Sequence, residues 1–150
     1  MKATRDFTVS IIIVYKEKAL LHLHKKMDKW LPVGGHIERN ELPEEAAVRE
    51  AKEESGLKIV LYNPDKQVGM GDARQLVRPA HILLEDIEQF HQHIDFVYYA
   101  TAKKTFEVDP QDGETKDLKW FTADEIRCLV GVPKNVKVAL LEAIELCRKD

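Results

Sequence analysis

The chain has 150 residues, 44% of them hydrophobic and 33% charged, with a formal net charge of -3. A chain of this size buries roughly 68–70% of its unfolded surface, so a single domain over residues 1–150 can hold a core without disulfide or metal staples. The small negative charge disfavours nucleic acid as a non-specific partner, and the longest apolar run, about Ile11 to Tyr15, is far too short to span a bilayer.

The first residues, Met1-Lys-Ala-Thr-Arg-Asp-Phe7, hold no signal-peptide core, which makes the cytoplasm the expected location. Cys128 and Cys147, without a CxxC pair or a partner histidine, read as reduced structural thiols. No repeat or linker divides the sequence.

Residues 7 to 15 alternate with Phe7, Val9, Ile11, Ile13 and Tyr15 on one face, while Ile12 and Val14 make the other face apolar too. That pattern predicts a central strand buried on both sides. Lys16-Glu17-Lys18 turns the chain into a second strand, Ala19 to His24, and the pair reads as a hairpin. His22 and His24 share one face of that strand, a spacing that suits metal or phosphate; without further ligands they read as partly exposed strand residues. Trp30 can pack under the following glycine pair or stack on a base, and packing is the expectation.

Gly34-Gly35 follows, where the backbone is free to take positive φ or to approach a ligand closely. A helix is predicted over about 43 to 55, with Pro43 in its first turn, Glu44 and Glu45 complementing its positive end and Gly56 as its stop. At 100° per residue Glu50, Glu53 and Glu54 fall within one arc of roughly 100°, and Ala47, Val48 and Ala51 take the adjoining, packing arc. Clustered carboxylates are what hard divalent cations such as Mg2+ choose, usually together with substrate phosphates.

Leu57 to Leu61 alternates like a strand, and Tyr62-Asn-Pro-Asp65 opens a long polar loop to about Arg78, a candidate element on the substrate side. Residues 80–88 and 92–101 read as two further strands joined by a turn at Gln89 to His91. His91 and His93 with Asp95 alternate on one strand face and read as a polar outward surface rather than a metal cluster. Asp109 to Gly113 is a turn, Glu114 to Phe121 a short strand, Thr122-x-x-Glu125 a capping box, and Pro133 opens a last helix with a core stripe of Val136, Ala139, Leu140, Ala143, Ile144 and Cys147.

Residues 35 to 57 fit the pattern Gly-x5-Glu-x7-Arg-Glu-U-x-Glu-Glu-x-Gly-U, with U aliphatic, at Gly35, Glu41, Arg49, Glu50, Ala51, Glu53, Glu54, Gly56 and Leu57. Ordinary residue frequencies make a chance match on the order of one in a million or rarer. The run resembles the signature of the Nudix hydrolases, MutT-like enzymes that hydrolyse a diphosphate linked to another moiety.

The resemblance implies an α/β (α+β) fold, an α/β/α sandwich around a mixed β-sheet. It implies Mg2+ or Mn2+ as cofactor, bound by Glu50, Glu53, Glu54 and the Gly34 carbonyl, with Glu50, Glu53 and Arg49 in catalytic positions. Gly35 and Glu41 then support the loop and helix, Glu114 is a candidate for a further acidic ligand from the C-terminal half, and the substrate-binding residues stay open. The implied partner is a small-molecule nucleotide, and a homodimer fits the family's habit.

Substrate choice in the family rests outside the signature. Positions 72 to 75, Asp-Ala-Arg-Gln, lack the proline or tyrosine of the ADP-ribose and dinucleoside polyphosphate subgroups, which leaves a nucleoside triphosphate pyrophosphatase as the default. A catalytically silent sensor of a nucleotide or RNA end is the alternative reading, although its usual mark, loss of helix glutamates, is missing. The related isopentenyl diphosphate isomerases need an active-site cysteine, for which Cys128 and Cys147 stand in poor places.

Overall fold

The strand that both faces of the sheet depend on is β1 (Thr4–Tyr15), whose Ile11, Ile12 and Ile13 are all fully buried. Side chains alternate across a strand, so three successive buried isoleucines require cover on both sides. A computed structural model describes residues 2–103, 108–110 and 115–148, the side chain of Lys116 excepted. The last part of the predicted turn at 109–113, and Glu114, lie outside the described residues.

β1 turns into β2 (Lys18–His24) through Lys16 and Glu17, both at positive φ (47° and 62°), the two-residue geometry that matches strand twist. The hairpin pairs only at Val14↔Ala19 and Tyr15↔Lys18. Further along the same edge of β1 the partner is β4 (Val33–His36), antiparallel, with Thr8 opposite His36 and Ser10 opposite Gly34. The short β3 (Trp30–Leu31) and β8 (Thr115–Thr122) extend the sheet beyond β2. On the other edge of β1 lies β7 (His91–Ala102), parallel, and β7 in turn carries β5 (Ile59–Leu61) and β6 (His81–Glu88) antiparallel. One parallel pair among antiparallel ones makes the sheet mixed, as expected.

The odd-numbered face of β1 meets α1 (Pro43–Ser55), with Val9, Ile11, Ile13, Leu20, Val33 and Tyr98 packed against Ala46, Ala47 and Ala51. The even-numbered face meets α2 (Ala123–Cys128) and α3 (Lys134–Cys147), with Ile12, Val14, Leu21 and Tyr99 packed against Ile126, Leu140, Ala143 and Ile144. Each fully buried aliphatic side chain contributes about 1.5–3 kcal/mol. α2 begins at the predicted capping box, the Glu125 amide donating to Thr122 Oγ1 at 3.2 Å and the Thr122 amide to Glu125 Oε1 at 3.0 Å. No helix among the described residues is long and apolar enough to cross a membrane.

Two details differ from the sequence reading. Val48 is 46% exposed, because the core-facing stripe of α1 runs through Ala46, Ala47, Glu50, Ala51 and Glu54, so the apolar and acidic arcs overlap. Trp30 packs, but on the α3 side of the sheet, its ring edge-on to Phe121 at 5.4 Å, and not beneath the glycine pair.

Candidate active site

α1 starts and stops where its local chemistry dictates. The Glu45 carboxylate accepts from the Leu42 amide at 2.9 Å, and Gly56, at φ 76°, donates its N–H to the Lys52 carbonyl at 2.8 Å. Only glycine adopts that conformation without strain, and a side chain at Gly56 would also meet the Asp109 carbonyl at 2.5 Å.

The helix is aligned by the free edge of β4. Residue pairs in an antiparallel ladder alternate between bonded and non-bonded registers. The Ile37 amide donates to the Phe7 carbonyl at 3.0 Å, which puts Gly34 and His36 in the non-bonded register, their peptide groups turned away from β1. The Gly34 N–H meets Glu54 Oε1 at 3.4 Å, and the His36 carbonyl accepts from Arg49 Nη2 at 3.0 Å. Two residues along a strand span about 6.7 Å and five along a helix about 7.5 Å, so Arg49 and Glu54 are spaced to dock on this edge.

Arg49 is the hub. Its Nε and Nη2 hold both oxygens of Glu41 at 2.7 and 2.9 Å, and its Nη1 reaches Glu50 Oε1 at 2.8 Å, Glu53 Oε2 at 3.3 Å and Glu38 Oε1 at 3.9 Å. The guanidinium hydrogen bond holds the Glu41 carboxyl below the usual carboxylate range, and the Arg49 charge is itself reinforced by Glu41 and Glu50. Burial pushes the Glu50 carboxyl up, against the pull of Arg49.

The predicted carboxylates converge, in unequal surroundings. Glu50 and Glu54 are buried at 9% and 6% exposure, whereas the Glu53 side chain is 48% exposed. Gly34 and Gly35 are extended strand residues, not a positive-φ loop, and their role is close approach: a Cβ on Gly35 would strike the Glu50 carboxylate, and one on Gly34 the Val9 carbonyl. His22 corrects the sequence reading. It is 4% exposed, with Nδ1 3.2 Å from Glu54 Oε2 and 3.2 Å from Thr115 Oγ1. The available signal was Leu20 on the same strand face, since a face that buries Leu20 against α1 carries His22 inward with it.

Four carboxylates stand within 4.0 Å of one guanidinium, and Glu54 adds a fifth beside β4. The donors are hard oxygens in excess of local positive charge, and Gly35 leaves no methyl between β4 and Glu50. Both features fit a hard divalent cation, whose charge would also oppose the rise that burial imposes on Glu50.

The family model for the NUDIX domain matches residues 4–142, spanning β1 to α3 and the whole carboxylate site. The chain belongs to the NUDIX family. A Nudix-family hydrolase from Clostridium perfringens is similar at 47% identity over 95% of this chain and 98% of its own, with a TM-score of 0.84. A MutT protein from Methanosarcina mazei Go1 (17% identity, 100% and 99% coverage, TM-score 0.72) and the dihydroneopterin triphosphate pyrophosphohydrolase of E. coli (16%, 99% and 99%, TM-score 0.67) share the Nudix fold. The protein is a Nudix hydrolase, a family that typically works with a divalent metal.

Proposed function

We propose that this Nudix hydrolase is a pyrophosphohydrolase acting on a nucleoside triphosphate, with Mg2+ or Mn2+ held by Glu50, Glu53, Glu54 and the Gly34 carbonyl. The observation that carries this reading is the docking of α1 on β4, which gathers the three carboxylates at a strand edge where the Gly34 peptide is turned away from β1. The cation would offset charge on the phosphate oxygens and make an attacking water more acidic.

The chain's own residues divide the remaining work. Arg49 clamps Glu41 and Glu50, so Glu50 is oriented before substrate arrives. Glu53, half-exposed, takes the proton as the water oxygen bonds to phosphorus and the anhydride P–O bond opposite it breaks, the leaving phosphate departing with its electron pair. Glu54 lies between the Gly34 N–H, 3.4 Å from Oε1, and the His22 ring, whose Nδ1 is 3.2 Å from Oε2. The loop at 62–80 lies beside the helix, Arg74 meeting Glu44 of the first turn at 3.4 Å, and supports a substrate-side placement. The names of two similar folds, the E. coli pyrophosphohydrolase and a UDP-X diphosphatase, both refer to substrates with linked phosphates, the moiety this site addresses.

The test is phosphate or pyrophosphate release from normal and oxidised nucleoside triphosphates, ADP-ribose, dinucleoside polyphosphates and nucleotide sugars with Mg2+ present. One triphosphate should turn over with pyrophosphate as product, and Glu53→Gln should lower kcat by about 10²–10⁴. Full activity in Glu53→Gln, or turnover confined to the other substrate classes, would overturn the assignment.

A further inference from the structure

A second cluster of ligand-type side chains lies on the opposite face of the sheet. The parallel register sets Thr4 beside His91 and Asp6 beside His93, and β4 adds His36 opposite Thr8. Asp6, Thr8 and Ser10 are on the even-numbered face of β1, away from α1. Ligand atoms of Asp6, His91 and His93 lie within 4.8 Å of one another, and the His93 ring is 5.2 Å from that of His36 and 5.3 Å from that of His91. Asp95 does not complete this group, contrary to the pattern of alternate residues. It is buried, and its two oxygens accept from Thr8 Oγ1 at 2.8 Å and Ser10 Oγ at 2.7 Å.

The nitrogens around Asp6 are spaced as metal ligands are. The Thr4 hydroxyl lies 3.2 Å from the Phe90 carbonyl and 2.8 Å from His91 Nδ1. With Nδ1 engaged by Thr4, the other ring nitrogen of His91 is Nε2. This nitrogen faces Asp6 Oδ2 at 3.3 Å, and His36 Nε2 approaches the same oxygen at 3.2 Å. A carboxylate oxygen between two imidazole nitrogens is a donor set that a metal ion can bind. Ligands about 2.0–2.1 Å from a tetrahedral ion are separated by about 3.3–3.5 Å, close to the 3.2 and 3.3 Å from Asp6 Oδ2 to the nitrogens of His36 and His91.

We infer that Asp6, His91 and His93, with His36 as the fourth donor, form a binding site for a transition-metal ion of the Zn2+ class, separate from the glutamate site. Imidazole nitrogens select Zn2+, Ni2+ or Cu2+ over Mg2+, so the two sites differ in the metal they take. The Thr4 contact to Nδ1 is the outer hydrogen bond that orients a metal-binding imidazole. An ion here would tie β1 and β7 to the end of β4 that carries Gly34 and Gly35.

The experiment uses untagged, chelator-dialysed full-length protein titrated with Co2+, read by its visible absorption, and with Zn2+, read by calorimetry. Wild type and Glu53→Gln/Glu54→Gln should both develop the intense bands of a nitrogen-rich, four-coordinate Co2+ site. His91→Ala/His93→Ala should lose them, with Zn2+ affinity down by about 100-fold or more, while Thr4→Val weakens Zn2+ by about 10-fold. Thermal melts show whether each variant is folded, and Asp6→Asn, which keeps shape and size, stands in if the double histidine variant is not. The inference falls if wild type develops no such bands, if they survive loss of the two histidines or of the Asp6 charge, or if they vanish with the glutamate variant.

Discussion

Replacing Gly35 by alanine tests the geometry of the catalytic helix at its tightest point. The added methyl would lie 2.6 Å from the Glu50 carboxyl carbon and 2.9 Å from Oε2, with Oε1 nearer still. Ordinary contact between such atoms is about 3.5 Å, so the carboxyl must retreat by about 1 Å from the position at which Arg49 Nη1 holds it at 2.8 Å. A misplacement of about 1 Å at a reacting centre costs about 100-fold in rate, or about 2.7 kcal/mol of transition-state stabilisation. The fold suffers less, because the end of a side chain yields more easily than backbone, which puts the destabilisation near the lower end of the roughly 1–3 kcal/mol for overpacking.

Gly34→Ala is the internal control. The three atoms nearest its methyl all belong to the backbone of β1, namely the Val9 carbonyl, Ser10 Cα at 3.0 Å and Val9 C at 3.1 Å, so β4 itself must lift, at a cost toward about 3 kcal/mol. Steady-state kinetics with Mg2+ and thermal melts on both variants separate the two effects, each kcal/mol lowering Tm by about 2–4 °C for a domain of this size. Gly35→Ala should lose kcat at nearly native Tm, and Gly34→Ala should show the larger fall in Tm. A Gly35→Ala enzyme with wild-type kcat would refute the claim that contact between β4 and Glu50 sets the site.

Arg49→Lys keeps the charge but cannot span Glu41, Glu50 and the His36 carbonyl with one planar fork; urea unfolding should show a loss of about 1–2 kcal/mol. Glu142 receives hydrogen bonds from Tyr99 and His81, both at 2.7 Å, and the Tyr99 bond first holds its carboxyl below the usual range. A depressed folded pKa contributes stability above the unfolded value that is lost as pH falls through the folded one. Melts followed downward from neutral pH should therefore decline less steeply in Glu142→Gln than in wild type. Dialysis against a chelator should abolish hydrolysis, Mg2+ or Mn2+ should restore it, and full activity in the dialysed protein would count against the glutamate site.

Much of the fold and half of the site could be read from local signals. The helix over 43 to 55 emerged with its bounds because Pro43, Glu45 and Gly56 act within a turn of the helix ends, and the β1–β2 hairpin because its turn is two residues long. The capping box at Thr122 and Glu125 and the stripe on α3 belong to the same class. The signature likewise declared the family and the glutamates, since all nine of its positions lie on one stretch of chain.

What lies between elements was not legible. Whether Val48 or Glu50 faces the core depends on how α1 is rotated over the sheet, and that rotation is settled by Arg49 and Glu54 docking on the free edge of β4. His22 and Glu54 belong to different layers and meet only when the sheet is assembled. Asp6 stands beside His93 only because β1 and β7 run parallel in one particular register, and a shift of one residue would turn Asp6 to the α1 face. The sequence by itself determined the helices with their starts, most of the strands and the chemical type of the site, because caps, turns and periodicity act over a few residues, whereas β3 and β4 carried no such signal. Tertiary structure alone decided which carboxylates are buried, what holds them and which histidines meet, because register and helix rotation arise from contacts between residues far apart in the chain.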